Sequence, residues 1–263
     1  MTPHIIEIGP WQLVMCLGFV LLAGGTSVYH RLGLGRDLLV GTVRTFAQLF
    51  IMGYVLTFVF EVRTVWLVLL MFTCMVAAAI HIIRGRVKER GVPFLVPTFV
   101  SMLLSYALVS WLVTGVIVGA RPWWTPQYFI PLAGMIVGNS MTAISLSLDR
   151  LFSDLRSRRA EVEMRLCLGA DPAEASADIM RGAIRAAMTP SINSLMAVGL
   201  VSLPGMMTGQ ILSGTDPLIA IRYQIVVMLM LVASTALGAM LVTGLVRRRC
   251  FTKGHSLALR QPA

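Results

Sequence analysis

The stretch Asp149–Ser194 reads DRLFSDLRSRRAEVEMRLCLGADPAEASADIMRGAIRAAMTPSINS, and its meaning comes from its contrast with the chain around it. The protein has 22 Lys and Arg and 12 Asp and Glu, and fourteen of these fall between Asp149 and Arg185. Elsewhere long runs carry almost no charge. Over 263 residues the chain is 57% hydrophobic and 13% charged, with a mean hydropathy of +0.80. A water-soluble surface needs about 25% charge, so the chain is an integral membrane protein that keeps one long, patterned, charged segment in water.

Working outward from that segment, apolar runs bounded by charge or by Pro and Gly clusters fall at 11–29, 38–60, 64–83, 94–118, 128–148, 193–213 and 218–246. Crossing about 30 Å of hydrocarbon takes about 20 apolar residues, so each run is long enough to span. The expected fold is an all-α polytopic membrane protein of about seven transmembrane helices. It forms a single transmembrane domain over residues 1–263, with residues 149–189 as a cytoplasmic helical segment between spans five and six. No length remains for a separate catalytic domain.

With the N-terminus outside and the C-terminus inside, 18 of the 22 basic residues lie on the cytoplasmic side. They include Arg31, Arg36, the cluster from Arg84 to Arg90 with Lys88, and the tail from Arg247 to Lys253, as the positive-inside rule requires. The net charge of +10 is therefore topogenic and suited to anionic membrane lipid, and no aromatic-interleaved basic patch points to nucleic acid. Trp66, Trp123 and Trp124 fit an aromatic belt at the outer interface. His4 and Glu7 precede the first run but no basic residue does before Arg31, so that run reads as a retained span. Cys16, Cys74, Cys167 and Cys250 are far apart, without C-x-x-C, and read as buried or inert thiols.

Within the charged segment, Leu151, Leu155, Val162, Leu166, Ile179, Ala183 and Ala187 recur at near-helical spacing. Gly169 suits a helix stop. Asp171, Pro172 and Glu174 place a capping acid, a first-turn proline and an acidic third residue in order. The expectation is helix, sharp turn, helix: either a solvated connector or a docking element for a soluble subunit.

Polar groups inside the spans mark a candidate transport path or gate. Arg44 and Gln48 share a face of the second span, as a polar stripe or with Arg44 snorkelling to headgroups. Asn139 with Ser140, and Asn193 with Ser194, can hydrogen-bond across helices. Pro204 and Gly205 interrupt the sixth span, and broken helices at membrane depth occur where protein or a watery cavity receives the freed backbone groups. Met206 and Met207 follow at once, with Gln210 one turn on. Thioethers are soft ligands but also common gap fillers. Arg222, Tyr223 and Gln224 open the last span, as an anion-attracting group or an interfacial anchor. His81 has no partner at ligand spacing. The sequence assigns no metal ligand.

The absences are equally specific. There is no H-E-x-x-H, no acidic pair within a span and no nucleophile constellation, which disfavours an enzyme. Missing membrane carboxylates weigh against a proton-coupled carrier. No G-x-x-x-x-G-K-[ST] occurs, so this chain does not cradle nucleotide phosphates.

Three blocks carry a family resemblance: GRDLLVGTVRTFAQLFIMGYVL (Gly35–Leu56), MIVGNSMTAISLSLDRL (Met135–Leu151) and INSLMAVGLVSLPGMMTGQILSGTDPLIAIRYQIVVM (Ile192–Met228). They are similar to the signature blocks of the FetB-type ABC transporter permease family, whose bacterial members are tied to iron export and whose plant relatives are tied to aluminium tolerance. The spacing from Glu163 to Gly169 resembles the E-A-A-x-x-x-G element that ABC membrane subunits insert into a groove of their ATPase, with Met164 and Arg165 in place of the two alanines. The resemblance implies a homodimeric permease of the cell inner membrane. It implies a partner ABC ATPase on a separate polypeptide that holds ATP and Mg, and coupling through Glu163, Leu166, Gly169, Ala170, Asp171 and Pro172. Iron export is the implied activity. A permease for a nucleotide sugar, lipid or other organic solute, an ATP-independent channel or carrier, and a non-transporting scaffold are the alternatives.

Overall fold

A computed structural model of the chain describes residues 9–87, 89, 91–252, 254 and 256–259; His4, Glu7, Lys88, Arg90 and Lys253 lie outside these. The described elements are helical, with no strand longer than an isolated bridge. The chain divides into two compact units, Met1–Arg63 with Leu212–Gly214, and Thr64–Ile211 with Thr215–Ala263.

The first unit contains α1 (Pro10–Tyr29) and α2 (Gly35–Val62). Pro10 opens α1 where its missing N–H costs nothing. Arg63, in the left-handed region at φ 45°, closes α2 by donating its N–H to the Val59 carbonyl. Thr42, Thr45 and Thr57 donate their hydroxyls to carbonyls one turn back, at 2.7, 2.9 and 3.0 Å, so polar side chains on this apolar helix need no external partner.

The second unit comprises α3 (Val65–Arg86), α4 (Leu95–Trp111), α5 (Pro126–Ser157), α6 (Arg159–Cys167), α7 (Pro172–Ala175), α8 (Ala177–Ala197), α9 (Gly205–Leu212) up to Ile211, and α10 (Pro217–Arg249), with a π-helical turn, Leu112–Ile117, prolonging α4. At its centre α5 packs against α3, α4, α8 and α10. Small side chains allow the closest approach: Ala143, Ala187 and Ala239 meet where α5, α8 and α10 cross. Gly238 of α10 lies so close to Tyr106 of α4 that an added Cβ would collide with the phenol oxygen. In the G-x-x-x-G pair on α5, Gly134 abuts Met75, whereas Gly138 faces open space.

Side-chain pairs fix the directions. Phe72 meets Phe129 near the start of both α3 and α5, and Glu89 meets Arg156 beyond the end of the one and near the end of the other, so the two run parallel. Phe94 meets Phe152, which makes α4 antiparallel to them. Gly182 lies beside Asp154 and Gly244 beside Met180, so α8 runs away from the end that α5 and α10 approach.

Among the described residues six helices are long and apolar enough to cross a membrane: α1, α2, α3, α4 with its π turn, α5 and α10. The expected continuous span at 193–213 is not among them. α8 ends at Ala197, a non-helical stretch follows, and α9 has only 8 residues. The chain must still climb from the start of α8, beside the end of α10, to the start of α10, and it does so in two pieces. The interruption is also wider than Pro204 and Gly205 indicate. Gly199, at φ +84°, turns the chain five residues earlier, a conformation open to glycine because it lacks a Cβ.

Candidate functional site: a charged turn and a broken helix

The 32 residues of α5 extend about 48 Å, well beyond an apolar layer of about 30 Å. Asp149, Arg150, Asp154 and Arg156 put that excess at its last turns, which continue as an uninterrupted rod with Leu151 and Leu155 still fully buried against the unit. After a break at Arg158, α6 continues, and Gly169 at φ +95° stops it. Asp171 then caps α7, accepting from the Glu174 N–H at 2.7 Å, while the Glu174 carboxylate accepts from the Asp171 N–H at 3.1 Å. Ser176 separates α7 from α8. Val162, Ile179, Ala183 and Ala187 are buried, and Leu166 is half-buried. The expected helix–turn–helix is thus formed by α6, α7 and the start of α8.

Ion pairs pin this turn in place. Arg158 holds Glu161 at 2.7 Å, Arg159 holds Glu163 at 2.7 Å, and Arg165 reaches Glu161 at 2.7 Å and Asp178 of α8 at 3.4 Å. The hydrogen bond from Arg158 keeps the Glu161 carboxyl below the usual carboxylate range, and the same contact raises Arg158. Arg247 of α10 donates to the Ala173 carbonyl at 3.2 Å, and Arg159 also donates to the Leu259 carbonyl in the C-terminal tail at 2.8 Å. Glu89, buried, pairs with Arg156 at the exit of α5. What remains uncovered is the tip. Leu168 is 80% and Met164 58% exposed, with Cys167, Gly169 and Asp171 exposed beside them.

The second locus lies where α8 gives way. Ala197 O receives the N–H groups of Val201 and Ser202 at 2.9 and 3.3 Å, Gly199 N–H donates to Ser202 O at 2.9 Å, and Pro204 O receives Thr208 N–H at 3.0 Å. The loop thus closes many of its own backbone groups, as non-helical chain at membrane depth must. Two cavities flank it and share Val198, Leu203, Pro204 and Met228. One, of about 540 Å³, is polar on one side, with Asn139, Ser191, Asn193, Ser194 and Ser202 in its wall. Asn139 donates to Thr235 at 3.2 Å and to Ser191 at 3.4 Å, tying α5 to α10 and α8. The other, of about 400 Å³, is apolar, with Met207, Met228 and the Gln224 amide.

The structure thus brings Asn139, Asn193, Pro204 and Met207 to one locus, and leaves Met206 and Gln210 outside the lining of both cavities. Arg44 and Gln48 are exposed on α2, in the other unit. The four cysteines are free. Cys16, Cys74 and Cys167 are exposed, and only Cys250 is buried, with its thiol pushed up to about 12 by burial and by the nearby Glu89 carboxylate. Among the described residues no three His, Cys, Asp or Glu side chains converge as metal ligands would. Sequence reasoning passed over Gly199, Ser191, Thr235 and the Glu89–Arg156 pair. The first was hidden among many glycines, and the others take their meaning from partners 44 to 96 residues away.

Comparison with known proteins adds the following. The model of an uncharacterised protein family, UPF0014, matches residues 10–251. A UPF0014 membrane protein of Synechocystis is 38% identical, over 98% of this chain and 99% of its own length. The probable iron export permease protein FetB of Escherichia coli is 35% identical, over 95% of each. The protein ALUMINUM SENSITIVE 3 of Arabidopsis thaliana is 35% identical, over 90% of this chain and 86% of its own length. No solved structure matches.

Proposed function

The chain belongs to the UPF0014 family of membrane proteins, and we propose that it is the membrane-spanning permease subunit of an ATP-binding cassette transporter. It works as a homodimer in the cell inner membrane, with two copies of a separate ATPase that carries ATP and Mg. The observation that carries this reading is the exposed apolar tip at Met164 and Leu168, held by ion pairs on a turn whose two flanking helices, α5 and α8, run directly to the cavity at the break. A connector without a partner has no need of such a tip on so rigid a mount. Motion of the ATPase, received around Glu163, Leu166, Gly169, Ala170, Asp171 and Pro172, is passed along α8 to the loop before Gly205.

The end of the second unit that bears this turn also carries Arg84, Arg86 and Arg247–Arg249. This supports a cytoplasmic assignment, with the N-terminus outside and the C-terminus inside. The printed name of the Escherichia coli relative supports iron as the cargo and export as the direction. The cavity between α5, α8 and α10, with Asn139, Asn193 and Pro204 in its wall, serves as path or gate.

Purification of the tagged chain from its own cells is expected to bring an ABC ATPase with it. Glu163→Lys is expected to abolish that co-purification while membrane insertion persists; retained binding would remove this docking site. In proteoliposomes, iron flux is expected only with the ATPase and ATP, and flux independent of both would overturn the reading in favour of a channel or carrier.

A further inference from the structure

The segment after the last helix is built as a fastening. α10 stops at Arg249, and the chain then folds back on itself as a short hairpin. Phe251 pairs with Leu257 in an antiparallel bridge, Thr252 donates its N–H to Ser256 O at 2.9 Å, and Ala258 donates its N–H to Cys250 O at 2.8 Å. The Thr252 and Ser256 hydroxyls meet at 2.7 Å across the mouth of the turn. In extended chain, residues two apart share a side. Leu257 and Leu259 use that side for burial, at 6% and 3% exposure, while Ala258 between them is exposed. Cys250, against which the returning segment pairs, is buried as well.

The hairpin ends on the charged turn. Arg159, the first residue of α6, donates from one terminal nitrogen to Leu259 O at 2.8 Å and from Nε to Glu163 at 2.7 Å. One guanidinium therefore ties the returning segment both to the start of α6 and to the acid one turn further on, a division its several fixed donors allow and a lysine ammonium would reproduce poorly. Arg247, in the last turn of α10, donates to Ala173 O at 3.2 Å. The turn is thus gripped twice from the same helix, at α7 directly and at α6 through the hairpin. α10 also reaches the break, where Met228, Leu231 and Val232 line the polar cavity. A tail that only keeps the positive charge of residues 247–249 on one side of a bilayer has no reason to bury two leucines, since that role needs charge in water alone.

We propose that residues 250–259 form a clasp, with Arg159 as its catch, that fastens the turn of α6 and α7 to the end of α10. With the clasp shut, the turn and α10 move as one body, so a displacement of the turn reaches the cavity at the break along α10 as well as along α8. With it open, α6 loses its tie to α10 and the turn yields instead of transmitting. The clasp itself follows from contacts within this chain; its part in transport rests on the coupling role proposed for the turn.

Hydrogen exchange on the full chain in lipid nanodiscs tests the clasp. Leu259→Asp puts a charge in the buried seat and is expected to speed exchange of residues 159–167 about tenfold or more, with α3 and α4 unchanged, which reports an intact fold. Ala258→Asp adds the same charge at the exposed neighbouring position and is expected to change nothing. Arg159→Gln is expected to free residues 256–259, whereas Glu163→Gln, which removes the ion pair and leaves the catch, keeps them protected. Unchanged exchange of α6 in Leu259→Asp, an equal rise in Ala258→Asp, or a tail that stays protected in Arg159→Gln overturns the clasp. In proteoliposomes with the ATPase, Leu259→Asp is expected to retain the ATPase and its hydrolysis of ATP while moving several-fold less iron per ATP consumed. Full coupling in that variant removes the clasp from transport; flux without ATP in the unmodified chain sinks the permease reading alone, because the exchange data decide the clasp separately.

Discussion

The two ends of α8 are built on opposite plans. At its first turns Asp178 is held by Arg165 and Arg181, Asp154 lies against Gly182, and the neighbouring turn is capped by Asp171 and strapped by Arg247. At its last turn the helix stops at Ala197, the chain reverses through Gly199, and two cavities open with Gln224 facing one of them. One end is cross-linked by ion pairs to its neighbours; the other has open space beside it. A rod anchored at a stiff end and released at a loose one transmits displacement to the loose end, because the anchored end has no low-energy alternative arrangement. Under the proposed function, the location of the break, rather than its sequence, makes it the responsive part.

The sharpest way to break that comparison is to soften the stiff end. Glu89→Ala leaves Arg156 without its buried partner; since the Arg156 side chain is 37% exposed, water recovers part of the loss. The expected destabilisation is about 1–3 kcal/mol, read as a lower thermal midpoint of the purified protein. An unchanged midpoint would show that the pair does not brace the exit of α5. Next in size is the loose end. Gly199→Val forces a β-branched residue to φ +84° and is expected to cost about 1–2 kcal/mol. Pro204→Ala, by contrast, is expected to leave the interruption in place, because the helix has already ended at Ala197. Hydrogen exchange across residues 198–204 distinguishes them, and protection gained throughout that loop in Pro204→Ala would reverse the assignment.

Asp171→Ala removes an N-cap and is expected to cost about 1 kcal/mol, seen as faster exchange confined to residues 172–175. The smallest effect concerns thiols and pH. Cys167, exposed at the tip, is expected to react with a maleimide at mildly alkaline pH, and Cys250 to stay unmodified, since the thiolate is the reactive form and its thiol holds the proton up to about 12. A raised thiol contributes stability that is present below the ordinary thiol range and lost only as pH climbs toward that value. The lowered Glu161 acts in the opposite direction. Its contribution is present at neutral pH and lost as pH falls through its depressed folded value, so exchange in α6 is expected to rise only in acid.

Six of the seven apolar runs form helices long and apolar enough to span, because long uncharged runs have one outcome in a bilayer: every backbone group must bond within its own helix. The turn was legible for a similar reason, since Gly169, Asp171, Pro172 and Glu174 act on neighbours within a few residues. Of the candidate site, Pro204 announced the break, while its true beginning at Gly199 did not stand out among 23 glycines. Gln224 looked like part of an interfacial cluster with Arg222 and Tyr223. On the folded helix it is buried while Arg222 is exposed.

By itself, then, the sequence determined the membrane character, the helical class, the position of the charged segment and the local chemistry of its turn, because hydropathy and capping are properties of short stretches. Tertiary structure alone decided that Asn139, Ser191 and Thr235 meet, that Glu89 braces Arg156, and that the sixth run is two pieces separating two cavities. Those features depend on how α5, α8 and α10 pack around small residues, and no pattern along a single chain records which faces come together.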